Sequence, residues 1–285
     1  MAGAVTPPCA ACGGACFHPR FAKHGYRFVG CDGCSLVRLD PLPDQDALTA
    51  FYDESYRSGI YATFASADAV RMATAAARIA AVLPLAPPGP WLDVGCSTGS
   101  SLRAAAAHGL DAEGIELSQA AVDTARAAGL RVERVAAEDF RPPRAYACVT
   151  AFDLLEHLLE PGALLARVRS WLVPGGCVAV SVPDTRSAAA RLMGRHWYFY
   201  APPVHVQYFD RASLGRLLAR HGLRATRIVP APKVITLDYA VSVLAGFDRR
   251  LHRIARALTA PLPRALRGRL LALPVGEIMA LATPA

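Results

Sequence analysis

The chain has 285 residues, of which 53% are apolar and 19% charged, with a net charge of +8. That length and apolar content are enough for a complete buried core and exclude a disordered or polar low-complexity chain. The longest apolar stretch, Val234 to Phe247, contains Asp238 and is too short to span a bilayer; residues 1–8 lack the basic start and apolar centre of a signal peptide, so the expected compartment is the cytoplasm.

In a reducing compartment the eight cysteines favour metal binding over disulfides. Cys9-Ala-Ala-Cys12 and Cys31-Asp-Gly-Cys34 form two Cys-x-x-Cys knuckles separated by 18 residues, the spacing of a zinc ribbon. Four thiolates from Cys9, Cys12, Cys31 and Cys34 would make a closed tetrahedral site with no open position, so the zinc would be structural. Cys16 and His18 are poorer-spaced substitutes, and Cys96, Cys148 and Cys177 read most simply as core residues. Tyr26 to Gly30 and Leu36 to Leu39 read as short paired strands. A unit of about forty residues needs such a staple to fold, which places a small zinc-ribbon domain at 1–40 and a larger domain at 41–285.

Proline punctuation at 41–43 leads into a helix carrying Leu48, Phe51 and Tyr52 on one face. A second helix, 66–83, should pack through Val70, Ala73, Ala77 and Val82. Then Trp91-Leu-Asp-Val-Gly-Cys-Ser-Thr-Gly99 reads as an apolar strand, a glycine-bearing turn and the start of an alanine-rich helix, 99–108. Strand, glycine turn and helix start form a nucleotide-cofactor site at the carboxyl edge of a parallel sheet. Asp93 at the strand end suits a ligand bearing an amine or positive charge better than a pyrophosphate. A second strand, Leu110 to Glu116, ends in an acid 17 residues past Gly99, close to the spacing of about 20 at which an acid meets ribose hydroxyls. The alternative is a solvated surface glutamate.

Ser118 caps a helix (118–128), a third strand spans 130–135, and Ala137-Glu-Asp-Phe140 follows. The fourth strand, Tyr146 to Phe152, runs into Asp153-Leu-Leu-Glu-His157. Leu172-Val-Pro-Gly-Gly176 is a turn before the fifth strand, Cys177 to Val182. Alternating strands and helices from 90 to 230 imply a parallel sheet with helices on both faces. Trp197-Tyr-Phe-Tyr-Ala-Pro-Pro-Val-His-Val-Gln-Tyr-Phe209 has the aromatic and proline content of a substrate-covering lid. Helix 211–221, strand 223–229 and a final strand Glu277 to Ala282 complete the pattern. The intervening 231–273 reads as an insertion with Phe247, Leu251, Ile254, Ala255 and Leu258 at helical spacing, Arg249, Arg250, Arg253 and Arg256 largely opposite, and Arg264, Arg267 and Arg269 beyond. Three readings fit it: contact with an anionic membrane, cover for the core, or attraction of an anionic substrate.

The four segments at 91–99, 110–116, 137–140 and 146–176 resemble, in order and spacing, the motifs of class I S-adenosylmethionine (SAM)-dependent methyltransferases, with Ser97 where glycine is usual. The resemblance covers about residues 45–285. It implies a Rossmann-like fold with a seven-stranded, mostly parallel sheet whose last two strands form a hairpin. It implies SAM contacts from Asp93, Gly95, Cys96, Ser97, Gly99, Glu116, Leu117, Phe140, Phe152, Asp153 and His157, with Asp139, or less favourably Glu138, reaching the adenine amino group. The ribbon and the helix after it resemble those of bacterial methyltransferases found in polysaccharide, deoxysugar and secondary-metabolite pathways, which would bring Tyr52 and Tyr56 near the SAM pocket.

Transfer from a sulfonium chiefly requires alignment of nucleophile, methyl and sulfur, and oxygen or carbon acceptors usually add a base. His205 is the better-placed base and His157 the group that shapes the pocket; the plainer readings are that His205 anchors its loop and His157 positions the cofactor loop. The expected acceptor is a small molecule, a sugar or glycan precursor first, such as an anionic nucleotide sugar. The alternatives are a quinone, polyketide or lipid-linked acceptor, and RNA or protein docked through the ribbon. Residues 9–34 carry Arg20, Lys23 and Arg27 against Asp32 without a basic-aromatic cluster, which argues against nucleic acid. The basic insertion adds an expectation of peripheral contact with the inner face of the membrane through 246–270.

Overall fold

The computed structural model describes residues 7–45, 48, 68–245, 249–273 and 275–285. Tyr52, Tyr56 and most of the helix expected after residue 43 lie outside them.

The amino-terminal strands are β1 (Phe17–Lys23), β2 (Tyr26–Cys31) and β3 (Val37–Leu39). β1 and β2 are joined by His24-Gly25, both at positive φ, the backbone that a two-residue hairpin turn needs to match strand twist. β1 was not expected from sequence because Pro19 interrupts it. It lies at the edge of its sheet, where a missing N–H costs no ladder bond. Further along the chain β9 (Gln207–Tyr208) pairs with β3, giving the order β1-β2-β3-β9. The amino-terminal unit is therefore closed by a strand of the larger part of the chain.

The remaining elements, in order, are α1 (Asp68–Val82), β4 (Trp91–Val94), α2 (Ser100–Ala107), β5 (Ala112–Glu116), α3 (Gln119–Ala127), β6 (Val132–Arg134), β7 (Tyr146–Phe152), α4 (Pro161–Trp171), β8 (Leu172–Pro183), α5 (Ala188–Met193), α6 (Arg211–Arg220) and β10 (Leu223–Pro230). Then come β11 (Val234–Ile235), α7 (Leu237–Leu244), α8 (Arg249–Thr259), α9 (Arg264–Arg267), β12 (Leu271–Ala272) and β13 (Glu277–Pro284).

Seven strands form the main sheet in the order β10-β13-β8-β7-β4-β5-β6. β4, β5, β6, β7 and β8 pair in parallel, and β13 runs antiparallel to both β8 and β10. The central strands are nearly continuous apolar runs, with β4 and the first six residues of β7 fully buried, as expected for strands covered on both faces. This is the Rossmann-like sheet with a terminal hairpin that the motifs implied, and residues 231–276 lie between the hairpin's two strands. β8 begins earlier than the expected Cys177, because Leu172 already pairs with Tyr146.

Helix α1 buries Val70, Thr74, Ala75, Arg78, Ile79 and Val82. The face is rotated from the expected one, with Ala73 and Ala77 only partly covered. A buried arginine on this stripe is the feature that later organises the site. No helix among the described residues is long and apolar enough to cross a membrane.

Candidate active site and cysteine cluster

The strand order reverses between β4 and β7, and in doubly wound sheets the crevice beyond the carboxyl ends at such a reversal receives the ligand. There the chain turns through Gly95, Ser97 and Gly99, with φ of 70°, 48° and 85°. The loop is pinned by bonds from the Gly95 and Cys96 amides to the Ile115 carbonyl, at 2.9 and 3.1 Å. Gly99 is the N-cap of α2, and a Cβ there would sit 2.2 Å from Leu130. Ser97, where glycine would be easier, adopts the left-handed region at a steric cost of about 1–2 kcal/mol.

Glu116 folds back over this loop. Its carboxylate accepts the Ser97 amide at 2.9 Å and the Leu117 and Ser118 amides at 2.8 and 2.9 Å. Two carboxylate oxygens offer about four acceptor sites, so capacity remains for a ribose hydroxyl. Glu138 and Asp139 are exposed beside the next strand, available to an adenine amino group.

Other expected cofactor contacts are placed differently. Asp93 is buried, its Oδ1 receiving the Thr150 hydroxyl at 2.6 Å inside the sheet. Burial pushes its pKa up to about 7 despite that bond. The Phe140 side chain is in the core, edge-on to Trp171 at 5.4 Å. Phe152 packs against the core containing Ile79 and Trp91 and lies beneath Arg78. Leu117 is exposed at the strand end and Cys96 is buried against Val122 and Leu102.

Beyond β7 lies a charged network. Asp153, at φ 52°, receives Arg78 Nη1 at 2.9 Å and the Ser181 hydroxyl at 2.6 Å. Arg78 Nη2 reaches Glu277 at 2.5 Å, and Lys233 Nζ lies 2.7 Å from Glu277 and 3.7 Å from Asp153. Arg78 and Glu277 are almost fully buried. Burial disfavours the Asp153 carboxylate, but Arg78 and Lys233 outweigh it and hold its pKa below the usual range. Glu156, buried with Oε2 lacking a partner among the described residues, is pushed the other way by burial and by Asp153. Arg78, Lys233, Glu277 and Ser181 were not singled out from sequence. The one signal was a charged residue on the buried stripe of α1.

The two histidines meet next to this network. Their rings are perpendicular with centroids 4.7 Å apart, and one ligand atom from each of Glu156, His157 and His205 lies within 4.8 Å of the others. His157 Nδ1 is 3.0 Å from the Val204 carbonyl and His205 Nδ1 is 2.9 Å from the Phe199 carbonyl. A carbonyl can only accept, so these bonds assign the proton to Nδ1 in both rings and make Nε2 of each the accepting nitrogen. Burial, followed by the neighbouring His157, lowers the His205 pKa to about 3. Burial also lowers that of His157.

Segment 197–209 is not an outer lid. Trp197, Tyr200, Val206, Tyr208 and Phe209 are all buried. Phe21 and Phe28 of the amino-terminal hairpin stack at 4.5 Å, and Tyr200 meets them edge-on at 4.8 and 5.4 Å. The Tyr208 hydroxyl donates to the His205 carbonyl at 2.6 Å. Ser35 Oγ donates to Asp210 Oδ1 at 2.6 Å, tying the second knuckle to the cap of α6. The aromatic core of the amino-terminal unit thus forms the support under His205.

The four expected metal ligands also converge. Cys9 Sγ is 3.5 Å from Cys34 Sγ, Cys12 Sγ is 3.5 Å from Cys31 Sγ, and all four sulfurs lie within 4.8 Å of one another. None is in a disulfide. A Cβ at Gly14 or Gly33 would press on Cys12 Sγ at 3.3 or 3.2 Å. The donor set and its compactness fit one tetrahedral zinc.

Residues 64–228 match the family described as methyltransferase domain. The chain belongs to that family. The chain is 37% identical over 116 residues to trans-aconitate 2-methyltransferase of Methylobacterium radiotolerans, a match covering 38% of this chain and 44% of that relative. It is 28% identical over 166 residues to ubiquinone biosynthesis O-methyltransferase of Thiobacillus denitrificans, covering 52% and 72%. The first match thus spans less than half of the relative's length. Among solved structures, a SAM-dependent methyltransferase of Thermotoga maritima superposes with a TM-score of 0.52 at 16% identity, covering 81% of this chain and all (100%) of that one, a likeness of fold.

Proposed function

We propose that this methyltransferase transfers the SAM methyl group to an oxygen or carbon of a small-molecule acceptor, with a sugar or glycan precursor first, and that a zinc ion held by Cys9, Cys12, Cys31 and Cys34 stabilises residues 1–40 as a structural ribbon. The supporting observation is the enclosed pair of neutral imidazoles, His157 and His205, between the Asp153 network and segment 197–209. An acceptor reaching those rings would do so through a small group, and Phe28 of the ribbon is already packed against Tyr200 and Tyr208, so that ring offers no free stacking face to a nucleic acid.

SAM, when bound, supplies an activated methyl group. Glu116 and Asp139 would hold its ribose and adenine, and the loop at 95–99 its remaining backbone contacts. His205 Nε2 would accept the acceptor's proton as the new bond forms, and His157 would orient the acceptor beside it. Burial holds the His205 pKa down at about 3, so the ring stays in the accepting form throughout the working range at the cost of a weaker basicity. His205→Ala is expected to lower kcat by about 10²–10⁴-fold with SAM affinity unchanged. In the wild type, kcat should show no fall between about pH 8 and 5 attributable to an ordinary histidine pKa near 6.5. Near-normal turnover in the variant would reduce His205 to a loop anchor.

A quinone, polyketide or lipid-linked acceptor is the second reading, favoured by the match to a ubiquinone biosynthesis O-methyltransferase. The deciding experiment incubates the protein with methyl-labelled SAM and fractionated host extract, before and after nuclease and protease. Label in a resistant water-soluble fraction supports the sugar reading, and label extracted into organic solvent supports the second. Label lost to nuclease or protease overturns both.

A further inference from the structure

Residues 249–273 contain seven arginines, His252 and no acidic residue. On α8, Leu251, Ile254 and Leu258 fall on one face, and Arg249, Arg253 and Arg256 on the other. A core-covering helix would bury the apolar face. Here that face is open: Leu251 is 54% exposed, Ile254 56% and Leu258 72%. The helix is held along its edge, through a bond between His252 Nδ1 and the Val241 carbonyl at 2.9 Å. The apolar strip continues past α8 through Leu266, Leu270 and Leu273, all exposed. Arg264 and Arg269 flank it in the open, whereas Arg267 pairs with Asp238 at 3.2 Å.

We propose that this surface docks on an anionic lipid bilayer, with α8 lying in the interface plane. The charge complementarity is one-sided, since every ionisable side chain between 249 and 273 is basic. The composition also selects among occupants. Protein hot spots are rich in Trp and Tyr set in packed pockets, whereas this strip, among the described residues 249–273, is exposed leucine, isoleucine and alanine with no Trp, Tyr or Phe. An arginine-bearing helix with a strong apolar face and no spanning length matches an interfacial anchor. The strip is attached beside the reaction centre, because Lys233, two residues before the end of β11, bonds Glu277 in the Asp153 network. Docking would therefore bring the carboxyl edge of the sheet close to the membrane, whichever acceptor the enzyme uses.

The test uses the full chain and co-sedimentation with two kinds of vesicle, phosphatidylcholine alone and phosphatidylcholine containing phosphatidylglycerol. Expected is binding to the anionic vesicles at least about tenfold stronger than to the neutral ones, weakened in about 0.5 M salt. A triple variant, Leu251→Ser with Ile254→Ser and Leu258→Ser, should lose about 10–100-fold in binding while keeping its SAM affinity and circular dichroism. Absence of wild-type binding to anionic vesicles overturns the proposal, as does binding that the triple variant retains in full. A concentration-dependent dimer without lipid binding, abolished by the same variant, also overturns it and assigns the strip to a second copy of the chain.

Discussion

Arg78→Met should destabilise the protein by about 3–5 kcal/mol, the cost of breaking a buried ion pair by removing one partner. Arg78 sits on the covered face of α1 and bridges Asp153 and Glu277, and Lys233 is the cation that, among the described residues, still faces both carboxylates once it is gone. Methionine fills much of the volume, so the loss isolates charge from packing. The Asp153 carboxyl would lose the partner that holds its pKa down, and turnover should fall with it because Asp153 opens the loop bearing Glu156 and His157. Urea unfolding monitored by circular dichroism measures the effect. Adding Glu277→Gln to Arg78→Met removes one stranded carboxylate and should recover part of the stability. A single variant with wild-type stability, or a double variant that is worse than additive, would show that the network does not carry the load assigned to it.

Removing metal from the cysteine cluster should sharply slow methyl transfer while leaving SAM binding nearly intact. The proposed zinc holds a unit too small to fold on its core alone, and structural zinc binding contributes on the order of 10 kcal/mol in small zinc-dependent domains. Loss of the ribbon withdraws Phe21 and Phe28 from Tyr200 and Tyr208, and with them the support of His205. The loop at 95–99 and Glu116 follow strands β4 and β5 and, among the described residues, lie outside the aromatic cluster that joins Phe28 to Tyr200 and Tyr208. Cys31→Ser, or chelation of the wild type, should therefore lower kcat by about 100-fold or more, given the catalytic weight of a positioned base. SAM affinity measured by calorimetry should change by less than about threefold, or about 0.6 kcal/mol. Zinc content establishes that metal was present and lost, and a red shift in tryptophan fluorescence would report exposure of the buried Trp197. Equal loss of SAM binding would mean that the ribbon supports the whole fold, and full activity without metal would make it dispensable.

Sequence alone determined the features whose chemistry is local. The Cys9, Cys12, Cys31 and Cys34 spacing is a property of two short turns, and the strand, positive-φ turn and helix at 91–107 are fixed by neighbours within a dozen residues. Apolar runs marked the strands of the parallel sheet, because covering both faces of a strand leaves no polar alternation. Glu116 was legible for the same reason, since its position at a strand end follows from strand length.

Tertiary structure decided everything that depends on partners distant in the chain. Arg78 and Glu277 meet across 199 residues of sequence, and no periodicity in α1 says whether a charge on the inner stripe has a partner. Segment 197–209 looked like a cover because aromatics and prolines suit both a lid and a core. Only the pairing of β9 with β3 shows that its rings are buried against the amino-terminal hairpin, as Pro19 had hidden β1. Conversely, α8 has the sequence pattern of a helix that hides its leucines, and only the folded chain shows them facing outward. Local preference specifies which face of an element is apolar, whereas what covers that face is set by the topology that brings other elements to it.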